Sequence, residues 1–409
     1  MTTKQIETSA LKTGLQWSLY DFGNSAYALN IITLFFPLYF SSFVSSNPAT
    51  WSRTVAVSIL ASALIAPIAG YFADRYSARR ISLIAFASLA VVGTLLLGFT
   101  TSSAETTIIF IATNIAFYVS TSFYDAILVT IARDRRTFTS GLGWAIGYFG
   151  GLLCLGFCYL MLGSQMPTNQ GDFLKVFFLT GLFYMVSSLF FFRNLSPDSD
   201  AHAASLAVSR SDMAGMGSDF RGPLLYVLIG SFLVMEGVTT IVYFTAIYAS
   251  STLHFSIGRI AGLLSLTQLI AAPATYLICR YAERRQNEFT ILIMCNVVWL
   301  LLALAMFKFR SPLAYIGIAC LTGLVIGTSP ALLRACLSKI TPPHRRGSIF
   351  GFSLLCSRAA SVVGPLVFGL VASKFSAPVG MLSVIPFFVL GSIILFSASV
   401  KISALQTHA

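Results

Sequence analysis

Five ionisable side chains interrupt long apolar stretches of the sequence. They are Asp21, Asp125, Glu236, Arg334 and Arg358. A charged group at the centre of a bilayer costs on the order of a few kcal/mol, so each should face protein or water rather than lipid. Charges in such positions mark substrate and ion pathways, or they pair with one another and fix helix packing.

Three of the five are acids and two are arginines, so the formal sum leaves one carboxylate without a fixed counter-charge. A carboxylate buried in this way takes up a proton more readily than it does in water. Glu236 is the predicted proton-coupling group, with Asp21 as the second, and Arg358 is the predicted neighbour of Glu236 at similar depth. The alternative is a permanent ion pair between Glu236 and Arg358 that serves only packing.

Two stretches repeat one polar spacing, with an acid at i and small polar residues at i+3 and i+4. These positions lie on one face of a helix. Such a face binds a polar ligand or holds neighbouring helices together. The two triplets are Asp21, Asn24 and Ser25, and Glu236, Thr239 and Thr240.

Aromatic residues near these charges extend the candidate site, because their rings and hydroxyls can contact a substrate. The predicted substrate-binding residues are Asp21, Asn24, Tyr27, Tyr124, Asp125, Trp144, Tyr148, Glu236, Thr240, Tyr243, Arg334 and Arg358.

The elements that position these residues must be membrane-spanning helices. The chain has 409 residues, of which 56% are hydrophobic and 10% charged, and its mean hydropathy is +0.82, which excludes a water-soluble fold. Its apolar blocks are too long for barrel strands and suit helices of about 20 residues. The pattern predicts an all-α integral membrane protein with twelve spans, near 15–43, 52–73, 81–100, 105–132, 139–163, 172–193, 222–250, 257–280, 289–308, 312–337, 347–373 and 378–400.

The net charge of +12 reflects orientation in the membrane. With the N-terminus inside, most of the 26 Lys and Arg residues fall on the inner side of the predicted spans, as the positive-inside rule requires. Both termini are therefore predicted to be cytoplasmic, and no nucleic-acid partner is expected. The expected partners are the lipid bilayer, a small-molecule substrate and protons.

A long polar stretch separates two groups of six predicted spans. Residues 194–221 are rich in Ser, Asp, Ala and Gly and lack an apolar face. The predicted domains are an N-terminal six-helix bundle at 1–193, a cytoplasmic linker at 194–221 and a C-terminal six-helix bundle at 222–409.

Cysteine and histidine positions give no metal or redox motif. The seven cysteines fall inside apolar blocks, and the four histidines fall in loops or the tail. No metal site and no cofactor are expected. A membrane enzyme is not expected, because the sequence lacks a His, Asp or Cys constellation at catalytic spacing. An ATP-driven pump is not expected either, because the sequence lacks a phosphate-binding loop.

The two halves also share a turn sequence after the second and eighth predicted spans. It runs Gly70-Tyr71-Phe72-Ala73-Asp74-Arg75 in the first half and Cys279-Arg280-Tyr281-Ala282-Glu283-Arg284 in the second. The first copy, with Arg79 and Arg80 after it, resembles the loop signature of the major facilitator superfamily. The resemblance implies two six-helix bundles, and a conformational latch at Gly70, Asp74 and Arg75 whose carboxylate lies near the N-terminal end of the eleventh span.

Further sequences resemble the vacuole-effluxer-like branch of that superfamily, whose fungal members export amino acids from the vacuole. The similarity follows nearly the whole chain in order. It includes Trp17 to Tyr27, Phe123 to Ala126, Gly143 to Gly151, Glu236 to Thr239, Arg334, Pro342 to Arg346, Phe350-Gly351 and Gly364 to Gly369.

This resemblance implies a secondary carrier that works by alternating access around a central site, without a cofactor. A small polar metabolite, with an amino acid or related zwitterion first, is the expected substrate, and proton coupling is expected. The alternatives are an exporter of lipophilic or amphipathic compounds and a membrane receptor that does not transport. Short loops favour the inner (plasma) membrane of a bacterium as the location.

Overall fold

The computed structural model describes residues 3–45, 48–131, 135–163, 167, 169–194, 222–251, 255, 257–342 and 345–407. The described segments are helices joined by short turns. They are α1 (Thr3–Ala26), π1 (Tyr27–Phe35), α2 (Phe36–Tyr39), π2 (Phe40–Val44), α3 (Pro48–Arg75), α4 (Arg79–Leu97), α5 (Ser103–Ile131), α6 (Arg136–Met161), α7 (Gln170–Asn194), α8 (Pro223–Ser251), α9 (Ile257–Arg285), α10 (Glu288–Lys308), α11 (Pro312–Ile326), α12 (Thr328–Ile340), α13 (Arg346–Lys374), α14 (Ala377–Leu382) and α15 (Ile385–Thr407).

Among the described residues, eleven helical stretches are long and apolar enough to cross a membrane. They coincide with eleven of the twelve predicted spans. The other predicted span, 347–373, corresponds to α13. Within α13 the apolar stretch found is Ser348–Ser357, which is shorter than the eleven spanning stretches. The all-helical prediction is confirmed, while the exact number of spans and the cytoplasmic termini stay predictions. The predicted linker lies outside the described residues beyond Asn194.

Three of the spanning stretches are not continuous α-helices. The first, Gly14–Val44, changes from α-helix to π-helix at Tyr27. The stretch Pro312–Ile340 consists of α11 and α12, which meet at Gly327. The third, Pro378–Ile402, consists of α14 and α15, which are separated by Ser383 and Val384. The first two irregularities, but not the third, occur in spans for which the sequence predicts a charged residue of the candidate site.

The chain forms two compact units that each draw on distant segments. Unit 1 comprises Met1–Ala132, Ile146–Ala207 and Pro342–Leu355. Unit 2 comprises Arg133–Ala145, Val208–Thr341 and Cys356–Ala409. Helices α6 and α13 each contribute to both units, because each is divided near its N-terminal third.

Aromatic side chains dominate the core of unit 1, including fully buried Tyr20, Tyr27 and Tyr184. The core of unit 2 centres on Trp299, whose ring stacks on Phe388 at 6.1 Å. Many large apolar side chains face outward in both units. This exposure would be costly in water but suits contact with lipid.

Candidate functional site

Asp21 lies in an aromatic environment inside unit 1. It is 9% exposed, and the Tyr124 hydroxyl donates a hydrogen bond to its Oδ2 at 2.8 Å. The Trp17 ring stacks on the Tyr124 ring at 4.3 Å, and the Tyr20 ring is 4.7 Å from Tyr124. The predicted residues Asp21 and Tyr124 therefore meet, and two aromatic residues outside the predicted set complete the cluster.

Hydroxyl groups continue from this cluster across the interior of unit 1. The Tyr20 hydroxyl contacts Ser120 Oγ at 2.7 Å and the Tyr184 hydroxyl at 2.9 Å. The Asn24 amide donates to Thr121 Oγ1 at 3.4 Å. The α1 helix thus presents a polar face to α5 and α7, as its residue spacing predicts.

The remaining predicted residues of unit 1 surround this face. Tyr27 is fully buried, and its hydroxyl has no hydrogen-bond partner among the described residues. Asp125 is half-buried on α5 beside Tyr124, and Tyr148 is half-buried on α6. Tyr148 follows Gly147, where an added Cβ would lie 3.2 Å from the backbone oxygen of Asp21. Close packing of α6 on α1 therefore brings Tyr148 to the neighbourhood of Asp21.

Glu236 is fully buried inside unit 2. Its Oε2 accepts a hydrogen bond from the backbone N–H of Gly364 at 2.5 Å, and its Oε1 has no partner among the described residues. The Thr240 hydroxyl donates to the backbone oxygen of Glu236 at 2.7 Å. A Cβ at Gly364 would lie 2.6 Å from Glu236 Oε2, so glycine is the residue that permits this approach.

Arg334 and Trp144 also meet in unit 2. The guanidinium donates from Nε to Ser140 Oγ at 2.9 Å and from Nη2 to the Ser140 carbonyl at 2.8 Å. Its Cζ lies 5.9 Å from the centre of the Trp144 ring, within range of a cation–π interaction. Arg334, which is 9% exposed, is thus held by the first turns of α6.

Two predicted site residues are not placed. The side chains of Tyr243 and Arg358 lie outside the part of the chain that the structure describes. The hypothesis that Arg358 neighbours Glu236 therefore stays a prediction.

The Asp74 carboxylate lies at the N-terminal end of α13. Its Oδ2 accepts from the backbone N–H and from the hydroxyl of Ser348, both at 2.7 Å, and its Oδ1 pairs with Arg79 at 2.5 Å. Gly70 is buried one turn earlier, and Arg75 is exposed and donates to the Tyr71 hydroxyl at 3.3 Å. This is the position that the resemblance implied for Asp74, while the latch role itself stays a prediction.

Glu283 occupies the equivalent position in the second half. Its Oε1 accepts from the backbone N–H of Phe138 at 2.9 Å, near the N-terminal end of α6, and Arg135 lies 4.0 Å from its Oε2. The backbone amides at a helix N-terminus have no partner within the helix and carry a partial positive charge. Glu283 and Asp74 thus accept from equivalent backbone groups.

Sequence reasoning missed several residues that bind the predicted ones. Ser140 and Ser348 are small residues without a distinguishing pattern, and Gly364 was noted only as the start of the family-like stretch Gly364 to Gly369. Each acts through a contact with a distant helix. Glu283 occupies the place of Asp74 in the repeated turn sequence, and this repeat could have predicted its position.

Comparison with known proteins identifies the family. The vacuole effluxer Atg22-like family matches residues 51–407, most of the chain. The protein belongs to this family. The MFS-type transporter YxiO of Bacillus subtilis is 25% identical over 399 residues, which cover 93% of each chain. Autophagy-related protein 22 of Eremothecium gossypii is 24% identical over 172 residues, covering 39% of this chain and 34% of the relative.

Solved structures show the same fold. The fucose:proton symporter FucP of E. coli superposes with a TM-score of 0.74 at 13% identity, covering 95% of this chain and 98% of that chain. At this identity the likeness establishes the fold, which is that of the major facilitator superfamily. The protein is therefore an integral membrane transporter of the major facilitator superfamily, in the Atg22-like branch.

Proposed function

We propose that the protein moves an amino acid or a related small zwitterion across the membrane by alternating access, and that transport is coupled to protons. Membership of a vacuole effluxer family supports a polar metabolite as cargo. The polar clusters inside both units are consistent with it, because buried ionisable side chains in membrane proteins mark substrate and ion pathways.

Glu236 is the observation that carries the proposal. The carboxyl group is fully enclosed, one oxygen is held by Gly364, and the other has no partner among the described residues. A neutral carboxylic acid is far cheaper to bury than a carboxylate, so the group suits reversible protonation. Gain or loss of this proton changes the charge inside unit 2 and can favour one facing state over the other.

The choice of a zwitterion rests on the chemistry available within each unit. Unit 1 offers the Asp21 carboxylate, which suits an ammonium group. Unit 2 offers the Arg334 guanidinium, which suits a carboxylate. Arg334 is bound to Ser140 in this structure, so its use by a substrate requires exchange of those hydrogen bonds.

Two hydrogen bonds form the proposed gate on the predicted cytoplasmic side. Asp74 binds Ser348 of α13, and Glu283 binds Phe138 of α6. Each bond joins one half of the sequence to the other. Alternating access therefore requires that both bonds form in one facing state and break in the opposite state.

The first experiment is a thermal-shift screen of the detergent-purified protein against amino acids, peptides, polyamines, nucleosides and organic acids, at acidic and neutral pH. A ligand that binds the folded state raises its stability by mass action. The best ligand then enters proteoliposome assays with and without a pH gradient. Wild-type protein should accumulate this ligand when the gradient is imposed.

Glu236→Gln is the decisive variant, because the amide can still accept from Gly364 but cannot exchange a proton. It should retain exchange of ligand across the membrane and lose accumulation driven by the pH gradient. The matched control is Glu105→Gln, which neutralises an exposed acid at the start of α5. Full pH-driven accumulation in Glu236→Gln would contradict proton coupling through this residue. An absence of thermal shifts with all polar ligands would contradict the substrate class.

A further inference from the structure

The first spanning stretch contains an unusual helical segment. After α1 ends at Ala26, nine residues form π1, Tyr27–Phe35, and five more form π2. π-Helical segments are rare, are normally a single turn long, and occur frequently at functional sites. The Thr33 hydroxyl donates to the carbonyl of Ala28, five residues earlier, at 2.8 Å, which matches π-helical spacing.

Residues just before π1 are packed tightly from two sides. A Cβ at Gly23 would lie 2.7 Å from Ser187 of α7, and a Cβ at Gly151 of α6 would lie 3.3 Å from the Ser25 carbonyl. Such close backbone approaches leave no space for rotation of this part of the helix. The position of α1, which carries Asp21, is therefore fixed by its neighbours.

By contrast, Asn30 holds π1 through weak hydrogen bonds. Its amide nitrogen lies 3.2 Å from Cys154 Sγ, 3.8 Å from Cys158 Sγ and 3.3 Å from Thr180 Oγ1. Sulfur is a weak acceptor. The Asn30 side chain is fully buried, and its Oδ1 has no partner among the described residues. Tyr27, at the start of π1, likewise has a buried hydroxyl without a partner among them.

Polar atoms left unsatisfied inside a protein raise the free energy of the state that contains them. Two such atoms in one segment mean that this arrangement of π1 is only partly stabilised. A change from π to α spacing would turn every side chain after Tyr27 around the helix axis while α1 stays in place. Such a turn would carry Asn30 away from its present contacts and give its Oδ1 new neighbours.

We propose that Asn30 is a positioning residue for transport. It holds Tyr27–Phe35 in the π-helical register in this state, and the segment adopts the α-helical register in the opposite-facing state. This inference is independent of proton coupling and of the choice of substrate. The proposed gate enters only in the second arm of the test, where its release is used to populate the opposite-facing state.

The test uses a spin label at Ser42→Cys, an exposed position in π2 that turns with any change in π1. The two half-buried native cysteines, Cys320 and Cys356, are replaced by serine, and the five buried ones are kept. Accessibility of the label to a lipid-soluble and to a water-soluble relaxing agent reports which way it faces. All measurements use the full chain in lipid.

Asn30→Leu should change this accessibility, because it removes every hydrogen bond of the amide. The matched control is Asn296→Leu. Like Asn30, Asn296 is fully buried, its amide donates a hydrogen bond, to Ser392 Oγ at 3.0 Å, and its Oδ1 has no partner among the described residues. Unlike Asn30, it lies in a regular α-helix, α10. Both variants should lose thermal stability, but only Asn30→Leu should move the label. Identical label accessibility in Asn30→Leu and Asn296→Leu overturns the proposal.

A second arm releases the gate with Asp74→Ala and Glu283→Ala together, leaving Asn30 intact. Because the two substitutions themselves remove the acceptors of the Ser348 and Phe138 amides, opening of the gate is verified separately, by faster reaction of a Ser338→Cys thiol, at a fully buried position, with a water-soluble reagent. The label should then move in the same direction as in Asn30→Leu. An open gate with an unmoved label overturns the register change, whereas a Ser338→Cys thiol that stays protected contradicts the proposed gate instead. In that case the Asn30→Leu arm still decides the role of Asn30.

Discussion

The turns after α3 and α9 have the same backbone and different charges. In both, the acid accepts from the N–H of the third residue of a helix, Ser348 in α13 and Phe138 in α6. Three residues after each acid the backbone has a positive φ of 53°, at Ser77 and at Gln286. In the first turn the backbone N–H of Ala78 donates to the carbonyl of Ala73. In the second the N–H of Asn287 donates to the carbonyl of Ala282, so both hydrogen bonds span five residues.

The fifth residue after the acid differs between the two turns. It is Arg79 in the first, which pairs with Asp74, and Glu288 in the second, which accepts from Thr137 at 2.9 Å and pairs with Lys339. The first turn therefore carries its own counter-charge. The second contains two acids, and the basic groups that pair with them are Arg135 and Lys339 of α12. The repeat thus preserves the helix-terminus contact, whereas the counter-charge comes from the turn itself in the first half and from other elements in the second.

The largest expected effect is that of Asp74→Ala. Arg79 is 6% exposed and loses the carboxylate 2.5 Å away. Breaking a buried ion pair costs about 3 to 5 kcal/mol. Thermal unfolding in detergent should show a large loss of stability, and the double variant with Arg79→Ala should recover part of it. A double variant that is less stable than Asp74→Ala would contradict the importance of this pair.

Glu283→Ala should have a smaller effect on stability. It removes one charged acceptor, worth about 1.5 to 3 kcal/mol, but it also relieves repulsion from Glu288. Arg135 is 26% exposed and can be solvated. We expect a modest drop in thermal stability together with faster hydrogen exchange at the Phe138 amide. A loss as large as that of Asp74→Ala would mean that both turns have the same electrostatic balance.

A rise in salt concentration should distinguish the two turns in the wild-type protein. The basic side chains that pair with the acids of the second turn, Arg135 and Lys339, are 26% and 33% exposed, whereas Arg79 in the first turn is 6% exposed. Exposed ion pairs are screened more strongly than buried ones. Rising salt should therefore accelerate hydrogen exchange at Phe138 more than at Ser348. Equal responses at the two amides would remove the proposed distinction.

The smallest effects are expected from Ser77→Gly and Gln286→Gly. Glycine adopts positive φ without the steric cost that other residues bear, about 1 kcal/mol. Each variant should raise thermal stability slightly and by a similar amount. Ser82→Gly, inside α4, is the control and should lower it. A gain at one turn alone would show that the two backbones are not equivalent in energy.

Sequence patterns predicted the spans because apolar length is a local property. They also placed Asp21 and Asn24 on a polar face of the first span, since helical spacing is local too. The partners of Arg334 and Glu236 could not be predicted, because Ser140 and Gly364 are more than a hundred residues away. The π-helical register of Tyr27–Phe35 was also missed, and the observed contacts of this segment, such as those of Asn30 with Cys154 of α6 and Thr180 of α7, are equally distant in sequence.

The composition of the two compact units has a consequence for biosynthesis. Unit 1 includes Pro342–Leu355, and unit 2 includes Arg133–Ala145. The chain is synthesised from its N-terminus. The first six predicted spans are therefore synthesised well before Pro342–Leu355, the segment that completes their unit. The membrane-insertion machinery must tolerate an incomplete unit 1 while residues 208–341, which belong to unit 2, are translated.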